Sequence, residues 1–279
     1  LTPNTYTLKV IGVDALHRIV AGVPYSVTFL QETWLILLAA GMGVILRPSR
    51  PKTLLATLVL LMFGYGLYVG GDWLSRWRFV SPVMPFALIL MVCGLIEILR
   101  YLVGFHWLGK LAVVVTLMAI FLTPTALPYI EEITFNVRAE GWATNVFSIE
   151  HAVILNRILT SDAAVAVHAA GTVPYYSRAS YGVDLLGKMD VHIANATPYG
   201  NWLPGHNKSD FAYAVTQRQP TYLMMCNWGQ DSVCDYVDSH YVFPQIFGLH
   251  RSINLYLLKD SPDVRWECLA DIFACEPLQ

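Results

Sequence analysis

Val27–Leu46 reads VTFLQETWLILLAAGMGVIL, twenty residues carrying one charge, Glu32. A helix rises 1.5 Å per residue, so about 20 apolar residues cross the roughly 30 Å hydrocarbon core of a bilayer. Three further stretches meet that length: Thr53–Gly71 with no charge, Phe79–Ile98 charged only at Glu97, and approximately Leu108–Leu127. Such runs have almost no polar stripe, whereas helices packed on the core of a water-soluble domain normally keep one toward solvent, and four wholly apolar runs in about 100 residues are too many for buried core helices. The spacing therefore predicts an all-α membrane bundle of about four transmembrane helices over residues 27–127.

The rest of the chain is different. Charged residues make up 14% of the 279 residues, against about 25% in ordinary soluble domains, and the deficit is concentrated between Thr28 and Pro128. Beyond Pro128 the charge density is ordinary. There, Phe147–Leu159 reads as a helix, Ala163–Ala169, Thr221–Cys226 and Ile253–Leu258 as strands, and a further helix starts after a Ser209 or Asp210 cap. Strands alternating with helices predict a small α/β domain over 128–279. Residues 1–26 form a loop region outside the cytoplasm. Within it Leu8–Val23 has amphipathic spacing, and it reads either as an interfacial helix or as a helical lead-in to the first span.

Arg47, Arg50 and Lys52 lie between the first two spans, and Arg100 and Lys110 flank the third-to-fourth connection. The positive-inside rule puts both loops in the cytoplasm. Residues 1–26, the short loop Asp72–Arg78 and the α/β domain then face outward. Arg76 and Arg78 oppose the rule, which suggests that they have a task. A net charge of -2 gives no reason to expect a nucleic-acid partner.

Cys226, Cys234, Cys268 and Cys275 all fall in the outward domain, while Cys93 lies in a span. Four cysteines in an oxidising compartment allow two disulfides in three pairings, with the local pairs Cys226–Cys234 and Cys268–Cys275 preferred on proximity. Zinc is the other reading, although gaps of seven and six residues do not match the usual two-to-four-residue knuckle.

The outward loop Gly70-Gly71-Asp72-Trp73-Leu74-Ser75-Arg76-Trp77-Arg78 holds the most chemistry. Trp73 and Trp77 suit headgroup depth, and the glycines permit close backbone approach. Arg76 and Arg78 can fork onto a phosphate. Asp72 can orient an arginine, bind a sugar hydroxyl or coordinate a cation. A plain interfacial anchor with a local Asp–Arg pair is the bland alternative.

Gly70-Gly71-Asp72-Trp73, followed by Arg78-Phe79, Pro82 and Pro85, resembles a segment of bacterial multi-spanning glycosyltransferases of the GT-C superfamily. Within it the terminal arabinofuranosyltransferase-like branch is similar, a group related to the lipid A aminoarabinose transferase and the protein mannosyltransferases. Pro3-Asn4-Thr5-Tyr6 with Lys9, Val183-Asp184-Leu185-Leu186-Gly187, Asp190, His192-Ile193-Ala194 and Pro204-Gly205-His206-Asn207-Lys208 resemble further segments of that branch in the same order. Leu74 in place of a usual Met, Lys188, and the extra Arg76 depart from the pattern.

The resemblance implies a transferase acting in the bacterial inner membrane, with a polyprenyl-phosphate sugar donor and a glycan or lipid acceptor as partners beside membrane lipid. Arg76, Arg78 and Lys9 would bind the donor phosphate, Asp72 would be a supporting acid, and His206 and Lys208 are either candidate acceptor contacts or members of a turn that feeds a capped helix. No cofactor is assigned, and a divalent cation is left open. In the superfamily the base lies in the first outward loop near the N-terminus. The chain is therefore expected to be the C-terminal part of a longer enzyme and to lack its base. A membrane-anchored binding module and a transporter are the competing classes, and near-absence of intramembrane charge counts against the transporter.

Overall fold

The computed structural model describes residues 3–72, 77–101, 106–109, 111–117, 119, 130, 134, 142–168, 170–179, 181–200, 203–247 and 252–277. The chain forms two compact units, one of Asp14–Glu140 and one of Leu1–Val13 with Gly141–Gln279.

In the first unit three helices are long and apolar enough to cross a membrane, consistent with a membrane protein. They are α2 (Ala15–Ile45), α3 (Arg50–Tyr68) and α4 (Met84–Tyr101), the last preceded by a 3-10 turn at Ser81–Val83. Helix α2 starts well before Val27, because Asp14 Oδ1 accepts the His17 N–H and so caps the helix at Ala15. Residues 15–23 are thus a continuous lead-in to the span. Half of the fourth apolar stretch, about 108–127, lies outside the described residues; 108, 109, 111–117 and 119 are described and helical.

Small residues set how closely α2 and α4 cross. A Cβ on Gly94 would sit 2.0 Å from the Ala39 carbonyl oxygen, and one on Gly43 would sit 2.4 Å from that of Leu90. Between apolar helices with no hydrophobic drive from lipid, such contact supplies the packing energy. At one end of the bundle, Lys52 Nζ donates to Gly43 O at 2.8 Å and Arg47 O at 3.1 Å, and lies 3.7 Å from Glu97. Glu97 also accepts from Arg100 at 2.7 and 2.8 Å. Glu97 is buried, so it is paired inside the bundle instead of snorkelling from a span end. The opposite end holds the turn that follows Tyr68.

The second unit contains α1 (Asn4–Val10), α5 (Trp142–Ile158), β1 (Ala164–Val167), α6 (Thr172–Ser177), β2 (Tyr181–Asp184) and α7 (Val191–Ala194). After a π-type turn at Ala212–Gln217 come β3 (Tyr222–Leu223), β4 (Asn227–Trp228), β5 (Asp231–Ser232) and α8 (Cys234–His240). The unit ends with β6 (Tyr241–Val242), β7 (Gln245–Phe247), β8 (Ser252–Asn254) and β9 (Tyr256–Leu258). The main sheet has the order β2-β1-β3-β9-β6. Strands β1, β2 and β3 run parallel, and β9 and β6 complete it antiparallel.

Both faces of this sheet are covered. Val165 and Val167 pack with Leu155 and Ile158 of α5, while Ala166 points the other way, to Val183, Phe211 and Val215. The cysteines pair locally as Cys226–Cys234 and Cys268–Cys275, which leaves none of them to ligate zinc.

Replacing Gly94 with Leu should force α2 and α4 apart and cost about 1–3 kcal/mol, the usual range for overpacking. Thermal unfolding in detergent micelles measures this, and an unchanged midpoint would refute the close crossing.

Candidate functional site

The turn between α3 and α4 is shaped by its two glycines. Gly70 and Gly71 have φ of 87° and 72°, in the region that β-carbons disfavour. A Cβ on Gly71 would also lie 2.8 Å from Tyr25 Cβ. Two residues that the sequence reading passed over hold this turn. Arg18, buried near the start of α2, donates from Nη1 to Tyr68 O at 3.1 Å and stacks over the Tyr68 ring at 4.3 Å. Tyr25 Oη accepts the Phe79 N–H at 3.2 Å. Neither has a local sequence signal, since each acts across two helices.

Asp72 and Arg78 come together. Arg78 Nε lies 2.7 Å from Asp72 Oδ2 and Nη2 donates to Oδ1 at 3.0 Å. The carboxylate side chain is 2% exposed and the guanidinium 59%. One hydrogen bond, from Nη2, and an Nε–Oδ2 ion-pair contact fix the guanidinium, so the Nη1–Nη2 edge keeps N–H groups for a second partner. Ser81 and Phe79 hold the Arg78 backbone and side chain from below, by the Ser81 hydroxyl on Arg78 O at 3.2 Å and by the Phe79 ring 5.6 Å from the guanidinium. Trp77 turns into the bundle, its ring 5.9 Å from Phe29. Trp73 and Arg76 lie outside the described residues.

The other expected site residues belong to the α/β unit. Lys9, at the end of α1, packs its methylene stem against Gly205, where a Cβ would lie 2.9 Å from Lys9 Cγ. Lys208 is 1% exposed. Its ammonium donates to Thr7 O at 3.2 Å, Ile11 O at 2.7 Å and Ala194 O at 2.8 Å. All three ammonium hydrogens are used, so Lys208 is a clamp on the C-terminal ends of α1 and α7 and has no donor left for an acceptor substrate. Burial pushes its pKa down, while the three carbonyls favour the charged form. His206 sits in the adjoining turn, where its carbonyl accepts from Trp228 Nε1 at 3.0 Å.

Asp184 and Asp190 are turn and cap residues: Asp184 accepts the Leu186 N–H at 3.0 Å, and Asp190 the Ile193 N–H at 3.0 Å. Among the described residues no three His, Cys, Asp or Glu side chains converge as a metal site.

His168 follows β1, at the carboxyl ends of the parallel strands. It stacks on Trp228 at 5.9 Å with its Nδ1 3.0 Å from Met224 Sδ. Burial, and then the Lys188 charge, hold its pKa below the ordinary histidine value.

A family model described as a domain of unknown function (DUF8728) matches residues 135–265, which is less than half of the chain. No curated protein and no solved structure matches it.

Two outcomes follow from these environments. Lys208→Met removes the donor from Ile11 O and Ala194 O and leaves Thr7 O with only the Ile11 N–H, and should destabilise the protein by about 2–5 kcal/mol, read as a drop in melting temperature. Because folded His168 is harder to protonate than unfolded histidine, the unfolded chain takes up the proton first as pH falls through about 6.5. Stability is therefore lost on acidification, and His168→Gln should flatten the melting temperature between about pH 7 and pH 5.

Proposed function

We propose that this chain is part of an integral-membrane glycosyltransferase of the GT-C type, transferring a sugar from a polyprenyl-phosphate donor to a glycan or lipid acceptor outside the cytoplasm. The inner membrane of a bacterial cell is the setting, with the Gly70–Arg78 turn and the α/β unit on its outer side. The observation that carries the reading is the Asp72–Arg78 pair. An exposed guanidinium is held by a buried carboxylate, at the end of a helix long and apolar enough to cross a bilayer. A donor lipid whose tail lies in the bilayer brings its phosphate to this depth, where the open Nη1–Nη2 edge of Arg78 suits two phosphate oxygens.

In the transfer, an acceptor hydroxyl oxygen forms a bond to the anomeric carbon while the bond from that carbon to the phosphate oxygen breaks. The electron pair of the broken bond stays on the lipid phosphate, and the hydroxyl proton goes to a carboxylate base. Arg78 lowers the energy of this step by meeting the charge that grows on the leaving phosphate. Arg76 is assigned the same task on the strength of the sequence resemblance. Asp72 is a positioning residue, because both of its oxygens already face Arg78. The base is not assigned to a residue of this chain. Lys9 is retained as a donor contact only through the resemblance, its stem being packed on Gly205.

Sugar transfer from a polyprenyl-phosphate donor, measured in membranes that contain the complete protein, tests the reading. Arg78→Ala should lower the rate by about 10²–10³, as loss of an oxyanion donor does. Arg78→Lys should restore only part of it, because an ammonium cannot make the fork. Transfer at the wild-type rate in Arg78→Ala would remove the phosphate site and with it the enzyme assignment.

A further inference from the structure

Strand β2 closes one side of the main sheet and β6 the other, and the two edges carry different surfaces. Around β2 the exposed side chains include Tyr175 and Tyr176 near the end of α6, Tyr181 at the start of β2, and then Met189 and Val191. Tyr175 is 77% exposed and Val191 63%. The Tyr175 and Tyr176 rings meet at 4.9 Å. Gly182 joins the two halves of this group, since a Cβ there would lie 3.3 Å from Pro174 Cβ and 3.9 Å from Met189 Cε. Exposed Val153 and Ile149 extend it along α5, whose Asn156 Nδ2 donates to Tyr176 O at 2.7 Å. Single exposed apolar residues are ordinary, but a continuous group marks an interaction surface.

The charge left outward around this group is positive. Arg178, which ends α6 in the left-handed region with φ of 52°, is exposed, as is Arg218. Arg218 donates to the Tyr181 hydroxyl and lies 4.8 Å over the Tyr181 ring, so the two stand together at the rim. Lys188 is half-buried in the same stretch. The acids nearby are engaged within the fold. Asp184 is buried and takes the Leu186 and Met189 N–H groups, and Asp190 takes the Ile193 N–H and the Tyr213 hydroxyl. Asp210 faces His192 at 2.7 Å. At the β6 edge the sign is reversed: α8 exposes Asp235 and Asp238, and Lys259 is turned onto the Asp238 and Ser239 carbonyls.

Tyrosines with arginines at their rim suit a lipid surface. A tyrosine ring with its polar tip fits the headgroup layer, and an arginine lays its stem on apolar surface while its head meets phosphate. Bilayer is close along the chain, because α5 follows directly on the unit whose three helices are long and apolar enough to cross one. A second copy of the chain docked through the same surface would set Arg178 and Arg218 against their own kind, with the nearby acids already engaged.

We infer that the β2 edge of the α/β unit docks on an anionic bilayer surface, with Tyr175, Tyr176 and Met189 entering the headgroup layer and Arg178 and Arg218 meeting lipid phosphates. The contact needs neither a sugar donor nor the Arg78 turn.

The test uses the full chain with Cys93→Ser, so that a nitroxide attaches only to an introduced cysteine, in nanodiscs of phosphatidylcholine with or without phosphatidylglycerol. Labels go to Tyr175→Cys and, as the control at the β6 edge, to Asp238→Cys. In anionic nanodiscs the label at position 175 should meet oxygen more readily than a water-soluble nickel chelate, which is the signature of membrane depth. The label at position 238 should show the reverse. Arg178→Gln and Arg218→Gln should each lower the ratio of docked to free label in the spectrum about fivefold, the usual contribution of one basic residue at an anionic surface. Omitting phosphatidylglycerol should lower it further, and melting curves establish that each variant is folded. The inference is overturned if the two labels are equally open to the chelate. It is also overturned if protection at position 175 survives both the loss of phosphatidylglycerol and the double arginine variant. Spin–spin broadening that dilution with unlabelled protein removes would place a second copy on this surface instead, and would overturn it too.

Discussion

Helix C-termini end in carbonyls that need donors, and where water is scarce the chain must supply them itself. Three cations do so here. Lys52 closes the end of α2 through Gly43 O and Arg47 O, Arg18 takes Tyr68 O at the end of α3, and Lys208 takes Thr7 O, Ile11 O and Ala194 O at the ends of α1 and α7. Each contact also complements the negative end of a helix dipole. The turns that hold the candidate residues follow directly on these closures. Gly70-Gly71-Asp72 begins two residues after Tyr68, and the segment from Asp190 to Asp210 is anchored at both α7 and Lys208.

This use of cations changes how the charges of the sequence are to be read. Lys52 enters the positive-inside count as one more loop charge, yet its ammonium is committed to two carbonyls and to Glu97. Glu97, an isolated acid in an apolar run, is tolerable because Lys52 and Arg100 meet it at the same end of the bundle. Arg78 differs in kind. Its carboxylate partner is more buried than it is, so the pair holds the guanidinium outward and does not bury it.

The elements that were legible in the sequence are those set by local rules. Hydrophobic length gave three membrane-capable helices, a short apolar run gave β1, and the segment before the π-type turn carried its capping Asp210. Disulfides between near neighbours followed from proximity alone. What escaped depends on distance along the chain. Lys208 and Thr7 are 201 residues apart, so nothing near either one shows that residues 1–13 join the α/β unit. For residues 15–23 the spacing left two readings, an interfacial helix and a lead-in to the span, and the Asp14 cap on a helix that continues to Ile45 decides for the lead-in. His192 and Asp210 lie 18 residues apart and meet through the course of the chain around Lys208.

The Arg78 turn and the Lys208 turn spend their cations in opposite ways. Lys208 is buried and its three ammonium hydrogens go to backbone carbonyls, so it holds the chain and offers nothing outward. At Arg78 the burial is reversed: the carboxylate side chain is 2% exposed and the guanidinium 59%, so the acid orients the arginine and the positive end is left facing out. Holding a cation outward orders a long side chain without burying it, which is why an anionic ligand is proposed for the Arg78 turn and not for the Lys208 turn.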